Sequence, residues 1–437
     1  MDPIGIDFGT TNSAIAVARA HDVRLAQFAN ASGERRSTFR SILYFDFDAP
    51  DRRGAPSIHA GPQAIERYLA SSGHGRLVQS LKSHLASASF DKTTIGAKNW
   101  SLEDLVAAFL ERLRAAAEAD LGSLADSSTV VVGRPVRWAG AERPEDDDLA
   151  VRRLRAAFAR AGFPQVIFEP EPLAAAYAYE RSLDHDELVL VADFGGGTTD
   201  FCLLRVGPSR RAIGAALPVL SIDGVALAGD AFDGEIVAQA IAPKLGAGSR
   251  YRPRMATEGG REPLEIPGWI YRKLRRWHHL SFLRSRETLA LLEDLRKQSL
   301  EPEKLRALLH VIEADLGLHL HRAVEETKIG LSNDVEAPLR FDDEPLSIDE
   351  RVARPDFERW IGGSLEEIRA ALDRTLASAS VAPTEVDAVF LTGGSSLVPA
   401  VRRIFAERFG ASRLRGGDEL VSVGVGLALR ARDLSRA

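Results

Sequence analysis

The chain of 437 residues has a single cysteine, Cys202. No intramolecular disulfide can form, so the composition suits a reducing compartment. A lone thiol behind an apolar stretch reads as a small core residue. Long hydrophobic runs are also missing: none approaches the ~18 residues that a membrane-spanning helix needs. The first residues carry Asp2 and pass straight into an apolar strand pattern, not a signal sequence. Positive charge is not in excess, since the formal net charge is −6. That balance argues against a membrane surface or nucleic acid as a partner and leaves the cytoplasm as the expected location. The remainder is ordinary for a globular protein, with 45% hydrophobic and 27% charged residues. The length allows roughly two to four domains of about 150 residues each.

Against this background one phrase occurs twice. Ile4-Gly5-Ile6-Asp7-Phe8-Gly9-Thr10-Thr11-Asn12-Ser13 opens the chain, and Val191-Ala192-Asp193-Phe194-Gly195-Gly196-Gly197-Thr198-Thr199-Asp200 lies near its middle. Each is an apolar strand followed by Asp-Phe-Gly, small residues and hydroxyls. Small residues let a polyphosphate approach backbone N–H groups. Thr10, Thr11 and Asn12 add donors, and Thr198 and Thr199 would donate toward a γ-phosphate. Asp7 would hold Mg²⁺ through bound water, because Mg²⁺ sheds water reluctantly. Of Asp193 and Asp200, one can sit by the metal and the other can orient an attacking water. A plain hairpin turn with an Asx cap would account for the first phrase alone. The matched second copy favours two similar lobes about one nucleotide. Asp200 by itself also fits a solvated acid at a strand end. Gly393-Gly394-Ser395 follows a third buried strand and suits passage of a ribose or α-phosphate, though a simple loop would look the same.

Alternation of strands and helices predicts an α/β architecture. Strands are expected at 4–8, 15–17, 23–28, 41–47, 129–133, 166–168, 189–194, 213–222, 339–341, 346–348 and 386–391. Residues 30–40 and 48–62 read as loops. Helices are expected at 62–70, from Ser101 to near Gly122, at 145–161, 171–179, 318–331, 357–379 and 398–409, and from about 421 onward. Ser101 and Asp104 form a capping-box pattern at the start of the second of these. Gly424 and Gly426 each cost the last helix roughly 1 kcal/mol of propensity, which a close backbone approach would offset. Residues 243–317 read as a mainly helical, Arg-rich subdomain. Its stretch Arg272-Lys273-Leu274-Arg275-Arg276-Trp277-His278-His279 fits a solvated helix face or a partner contact, and lacks the partners of a zinc site.

Together these phrases resemble the ATPase domain of the seventy-kilodalton heat-shock chaperones, in the actin and sugar-kinase superfamily. Further matching segments are Glu171-Pro172-Leu173-Ala174-Ala175-Ala176, Gly229-Asp230-Ala231-Phe232-Asp233, the helix carrying Glu325, Lys328 and Ser332, Leu391-Thr392-Gly393-Gly394-Ser395-Ser396, and the stretch from Asp418-Glu419 to Gly424. The resemblance implies a two-lobed actin-like fold, each lobe a ribonuclease-H-like mixed sheet with helices. Lobe I would be 1–184, with a subdomain inserted at about 35–100. Lobe II would be 185–437, with a mainly helical insertion at about 228–317. The resemblance assigns hydrated Mg²⁺ to Asp7 and Asp193. It assigns the phosphates of ATP or ADP to Gly9, Thr10, Thr11, Asn12, Gly195, Gly196, Gly197 and Thr198, with Gly229 and Asp230 nearby. Catalysis would fall to Lys82, Glu171, Asp193 and Asp200, with Lys82 reaching the γ-phosphate and the water. Glu325, Lys328, Ser332, Gly393, Gly394 and Ser395 would frame adenosine, and Pro135 would couple the lobes.

Three departures stand out. Ile329 and Leu397 occupy positions where these chaperones carry arginines that sandwich adenine, so cation–π stacking is lost. Residues 138–148 are acidic and contain proline. No peptide-binding domain is expected after Ala437, as in truncated homologues of the ATPase domain. Three functions follow: a slow Mg²⁺-dependent ATPase whose lobes close on nucleotide, with a client protein or co-chaperone as partner; a non-hydrolysing nucleotide-gated interaction module; and a sugar-kinase-like phosphotransferase.

Overall fold

The computed structural model describes residues 2–19, 22–30, 32–51, 54–71, 74–124, 129–213, 217–253, 262–275, 283–416 and 421–436. They form two compact units, Met1–Gly229 with Glu367–Ala437, and Asp230–Glu366.

The larger unit holds two sheets built on one plan. The first runs Ile167–Pro170, Val130–Arg134, Ile4–Phe8, Asn12–Ala18, Val23–Leu25. The second runs Leu414–Arg415, Ala388–Thr392, Glu187–Phe194, Thr199–Val206, Val219–Val225. In both, the first two pairings are parallel and the last two antiparallel. The central strands are apolar on both faces, as parallel strands covered by helices must be. Glu187–Phe194 is buried along its whole length. Asp7 and Asp193 occupy equivalent positions, one residue before the end of the strand that enters each hairpin turn.

The last helix, Ser422–Arg436, packs on the helix Glu171–Glu180 and on the first strand. Gly426 of this helix and Gly5 of the first strand permit that contact. A Cβ on Gly426 would lie 1.7 Å from the Ala174 carbonyl oxygen, and one on Gly5 would lie 2.2 Å from the Ala428 nitrogen. Around this crossing, Val131 of the first sheet joins Val189, Val191 and Phe390 of the second in one apolar core. Cys202 lies in the same core, and burial, followed by the Glu169 charge, pushes its thiol up to about 12. It is the core residue its sequence context suggested.

The helix Leu102–Leu121 starts as expected: the Ser101 hydroxyl accepts from the Asp104 N–H at 3.1 Å, and the Asp104 carboxylate accepts from the Ser101 N–H at 3.2 Å. Elsewhere the structure corrects the sequence reading. The 48–62 region contains the strand Pro56–Ala60, which pairs with Ile42–Pro50. Its proline is tolerated because the strand lies at an edge of that three-stranded sheet. The strand expected at 213–222 begins later, at Val219, and the helix Pro208–Ile213 precedes it. Pro208 is a suitable first helical residue. The single helix expected at 357–379 is two, Arg354–Trp360 and Gly362–Ala379, separated at Ile361, with Gly362-Gly363 opening the second.

The smaller unit contains the helices Trp269–Leu274, Arg286–Gln298, Pro302–Glu313 and Gly317–Asn333, with the hairpin Glu336–Asp343 and Leu346–Ala353. The short strand pair Arg250–Tyr251 and Leu264–Glu265 interrupts its helical character. Arg276 to His279 and the Asp418-Glu419 pair lie outside the described residues. Among the described residues no helix is long and apolar enough to cross a membrane.

Candidate functional site

The two hairpin turns face one another within the larger unit. A Cβ built on Gly197, in the second turn, would lie 3.6 Å from Thr10 Oγ1 in the first and 3.7 Å from Ser83 Oγ. Gly9 is required by the turn itself, since its Cβ would fall 2.0 Å from the Asn12 carbonyl oxygen. Asp193 stands opposite Asp200 across the antiparallel pair and beside Thr392 across the parallel one. One turn thus aligns two acids, and the neighbouring strand brings the Gly393 segment alongside.

Lys82 reaches this cluster from a single 3₁₀ turn, Leu81–His84, entered through Ser80 in a left-handed conformation at φ 52°. Its Nζ donates to Glu171 Oε1 at 2.5 Å, and both side chains are only 7% exposed. Glu171 is the first residue of the helix Glu171–Glu180, where the helix dipole favours a carboxylate. Asp200 is fully buried and used on both oxygens: Oδ1 accepts from the Val136 N–H at 2.8 Å and Oδ2 from the Thr198 hydroxyl at 2.9 Å.

The charges do not balance. Asp7, Glu171, Asp193 and Asp200 surround one ammonium. Burial, then repulsion from Glu171, raises Asp7 to about 7, with Lys82 only partly offsetting it. Burial and Glu171 likewise raise Asp200 to about 7 against its two hydrogen bonds and Lys82. Burial followed by Glu171, Asp200 and Asp7 lifts Asp193 well above the ordinary carboxylate range. Burial opposes the charge on Lys82, but Glu171 and Asp7 outweigh it and hold the ammonium above the usual lysine value. Acids raised this far by desolvation and mutual repulsion are relieved by a cation. Among the described residues no three or more His, Cys, Asp or Glu side chains are grouped to hold a metal ion. Asp7 and Asp193, carboxylates raised by burial and by their neighbours, have the chemistry to face such a cation.

The residues expected around adenosine fall in both units. In the larger unit, Gly393 has φ 80° and caps the 3₁₀ turn Gly394–Leu397, whose Ser395 is buried and whose Leu397 is exposed. In the smaller unit, Glu325, Lys328 and Ser332 lie on the helix Gly317–Asn333. Lys328 Nζ is held by Asp233 at 2.8 Å, Ser332 Oγ donates back to the Lys328 carbonyl at 3.2 Å, and Ile329 is exposed. Gly229 ends one segment of the larger unit and Asp230 begins the smaller unit.

Two contributors were not legible in the sequence. Arg153, in the helix Pro144–Arg160, is only 8% exposed. Its guanidinium donates to the carbonyls of Leu85 at 3.2 Å, Ser87 at 2.9 Å and Phe90 at 3.1 Å, fixing the segment that follows Lys82. In a run of arginines it looks like one more solvated charge. The second is the Val136 N–H on Asp200, a backbone contact that no side-chain pattern announces.

The doubled sheet and its paired acidic turns define the two-lobed, actin-like class of ATPase folds. Within that class the chain belongs to the Hsp70 family: the family model described as Hsp70 protein matches residues 63–243 and 313–435. The chain is similar to the chaperone protein DnaK of Thermosipho africanus strain TCF52B, with 26% identity over 441 residues covering 99% of this chain and 59% of that protein. The DnaK proteins of Thermosipho melanesiensis and Thermotoga petrophila are 25% and 24% identical, again over 99% of this chain and 59% of theirs. The chain thus spans about three fifths of the length of these relatives. The family model passes over 244–312, within the Arg-rich region that the sequence set apart.

Proposed function

We propose that this protein binds ATP with hydrated Mg²⁺ and hydrolyses it slowly, as a chaperone-like ATPase whose lobes, 1–184 and 185–437, close on the nucleotide. The observation that carries this reading is the buried Lys82–Glu171 pair set among Asp7, Asp193 and Asp200. Asp7 and Asp193 would hold the hydrated metal, which when bound would neutralise charge on the β- and γ-phosphate oxygens. Gly9, Thr10, Thr11, Asn12, Gly195, Gly196, Gly197 and Thr198 would cradle the phosphates through backbone N–H groups and hydroxyls. Lys82 would reach the γ-phosphate and the attacking water, and Glu171 keeps it charged and aimed. Asp200, held by the Val136 N–H and the Thr198 hydroxyl, would orient that water and take its proton.

The residues that would contact adenosine are Glu325, Lys328 and Ser332 of the smaller unit and Gly393, Gly394 and Ser395 of the larger. The exposed Ile329 and Leu397 would give apolar contact to the purine in place of a guanidinium stack. A client protein or co-chaperone in the cytoplasm would be the partner of the closing lobes.

Calorimetry with ATP and ADP, with and without Mg²⁺, followed by phosphate release on the same sample, tests this reading. Binding that needs Mg²⁺ and slow release supports it. Tight binding without turnover would make the protein a nucleotide-gated interaction module. ADP production stimulated by a small polyol would make it a phosphotransferase.

A further inference from the structure

The second hairpin turn faces a small space whose walls carry two hydroxyls. A Cβ built on Gly197 would meet nothing nearer than Ala139 Cβ and Thr10 Oγ1, each at 3.6 Å, and Ser83 Oγ at 3.7 Å. These are ordinary van der Waals distances, so an atom placed there is accommodated without a shift of its neighbours. A Cβ on Gly195 would instead meet the carbonyl and hydroxyl of Thr198, in its own turn, at 3.4 and 3.7 Å. Gly197 is thus where the second turn meets other segments. Thr10 comes from the first turn, Ala139 from the stretch after Pro135, and Ser83 from the 3₁₀ turn that carries Lys82.

Ser83 has no part in the function proposed above, yet its backbone is held on both sides. Its N–H donates to the Ser80 carbonyl at 3.0 Å. Ser80 is itself buried, in the left-handed conformation that opens the turn. Beyond the turn, Arg153 holds the carbonyls of Leu85 and Ser87 at 3.2 and 2.9 Å. The Ser83 and Thr10 side chains are half-buried, and neither hydroxyl is hydrogen-bonded among the described residues. A hydroxyl rotates to suit the acceptor it is offered. Two of them beside one small space, on a fixed backbone, form a ready pair of donors.

We infer that Ser83 is a further binding residue for the terminal phosphoryl group, its Oγ–H and that of Thr10 donating to one γ-phosphate oxygen lodged in front of Gly197. This rests on the nucleotide reading proposed above and adds a specificity-determining residue to it. Ser83 follows Lys82, the residue proposed to reach the γ-phosphate, so an oxygen beside Ser83 belongs to that same group. The built Cβ position marks the space. An anionic oxygen, drawn to about 2.5–2.7 Å from a hydroxyl, would sit slightly nearer to both. A side chain that meets only the γ-phosphate separates ATP from ADP.

Calorimetric titrations of ATP and of ADP, each with Mg²⁺, into the full chain and into Ser83→Ala, Ser83→Thr and Gly197→Ala test this. Ser83→Ala should weaken ATP on the order of tenfold, the low end for a hydrogen bond to a charged group, and leave ADP within about twofold. Ser83→Thr, which keeps the hydroxyl, should recover most of the ATP affinity. Gly197→Ala puts a methyl into a space that accepts it, so the fold is kept while ATP weakens at least as much. Thermal melts of each variant check the fold. Unchanged ATP affinity in Ser83→Ala, an equal loss for ATP and ADP, or no recovery in Ser83→Thr overturns the role of Ser83 and leaves nucleotide binding standing. Binding of neither nucleotide by the unmodified chain overturns both.

Discussion

Lys82 Nζ lies 2.5 Å from Glu171 Oε1, joining a loop turn to a helix start 89 residues later in the chain. The pair is buried, and its energetics differ from those of a surface ion pair. Lys82→Ala leaves Glu171 and three further acids without their ammonium. Urea unfolding should show a loss of about 3–5 kcal/mol, the usual cost of breaking a buried pair from one side. Lys82→Met combined with Glu171→Leu should lose much less. Equal losses in the two variants would mean that the pair contributes packing, not charge compensation.

Asp200 receives one N–H and one hydroxyl. Asp200→Asn keeps the shape but turns an NH₂ toward one of those donors and cannot take a proton from water. ATP affinity measured by calorimetry should change little, while phosphate release should fall on the order of 100-fold, the low end of a general-base contribution. Unchanged release would remove Asp200 from the chemistry.

Arg153 acts through the loop it holds. Arg153→Met should speed amide hydrogen exchange across residues 83–90 and cost about 1–3 kcal/mol for the carbonyls left unpaired. Phosphate release should fall with ATP affinity nearly unchanged, and Arg153→Lys should recover part of it. A purely structural role would lower stability and leave the rate per folded molecule intact.

Gly426 and Gly424 form a paired test of the last helix. A methyl at Gly426 would meet the Ala174 carbonyl at 1.7 Å, whereas at Gly424 the nearest atom, Ala14 Cβ, is 3.4 Å away. Gly426→Ala should lower stability by about 1–3 kcal/mol or more through overpacking. Gly424→Ala should be near neutral, because the methyl fits and helix propensity improves. Thermal melts of the two variants decide this.

Much of the larger unit was legible because its signals are local. The two Asp-Phe-Gly phrases mark the hairpins, the Ser101 and Asp104 box marks a helix start, and Gly426 marks the close crossing, whereas Gly424 has room for a methyl group. Other features depend on partners distant in sequence. The strand Pro56–Ala60 exists because Ile42–Pro50 offers it an edge, and Arg153 is buried because three loop carbonyls need donors. The break at Ile361 was missed because Gly362-Gly363 sits inside an otherwise continuous helical pattern. At the candidate site, Asp7, Lys82, Glu171, Asp193 and Asp200, each singled out in the sequence, are neighbours in the structure. The Lys82–Glu171 contact and the excess of buried acid belong to the fold.

The most direct measurement is single-turnover phosphate release from ATP by the unmodified chain, by Lys82→Ala and by Asp193→Asn, each with Mg²⁺ and with EDTA. Slow release by the unmodified chain in Mg²⁺, abolished by EDTA and by both substitutions, is the predicted result. Equal release in all three chains, or release indifferent to EDTA, would contradict the assignment of this cluster to phosphoryl transfer.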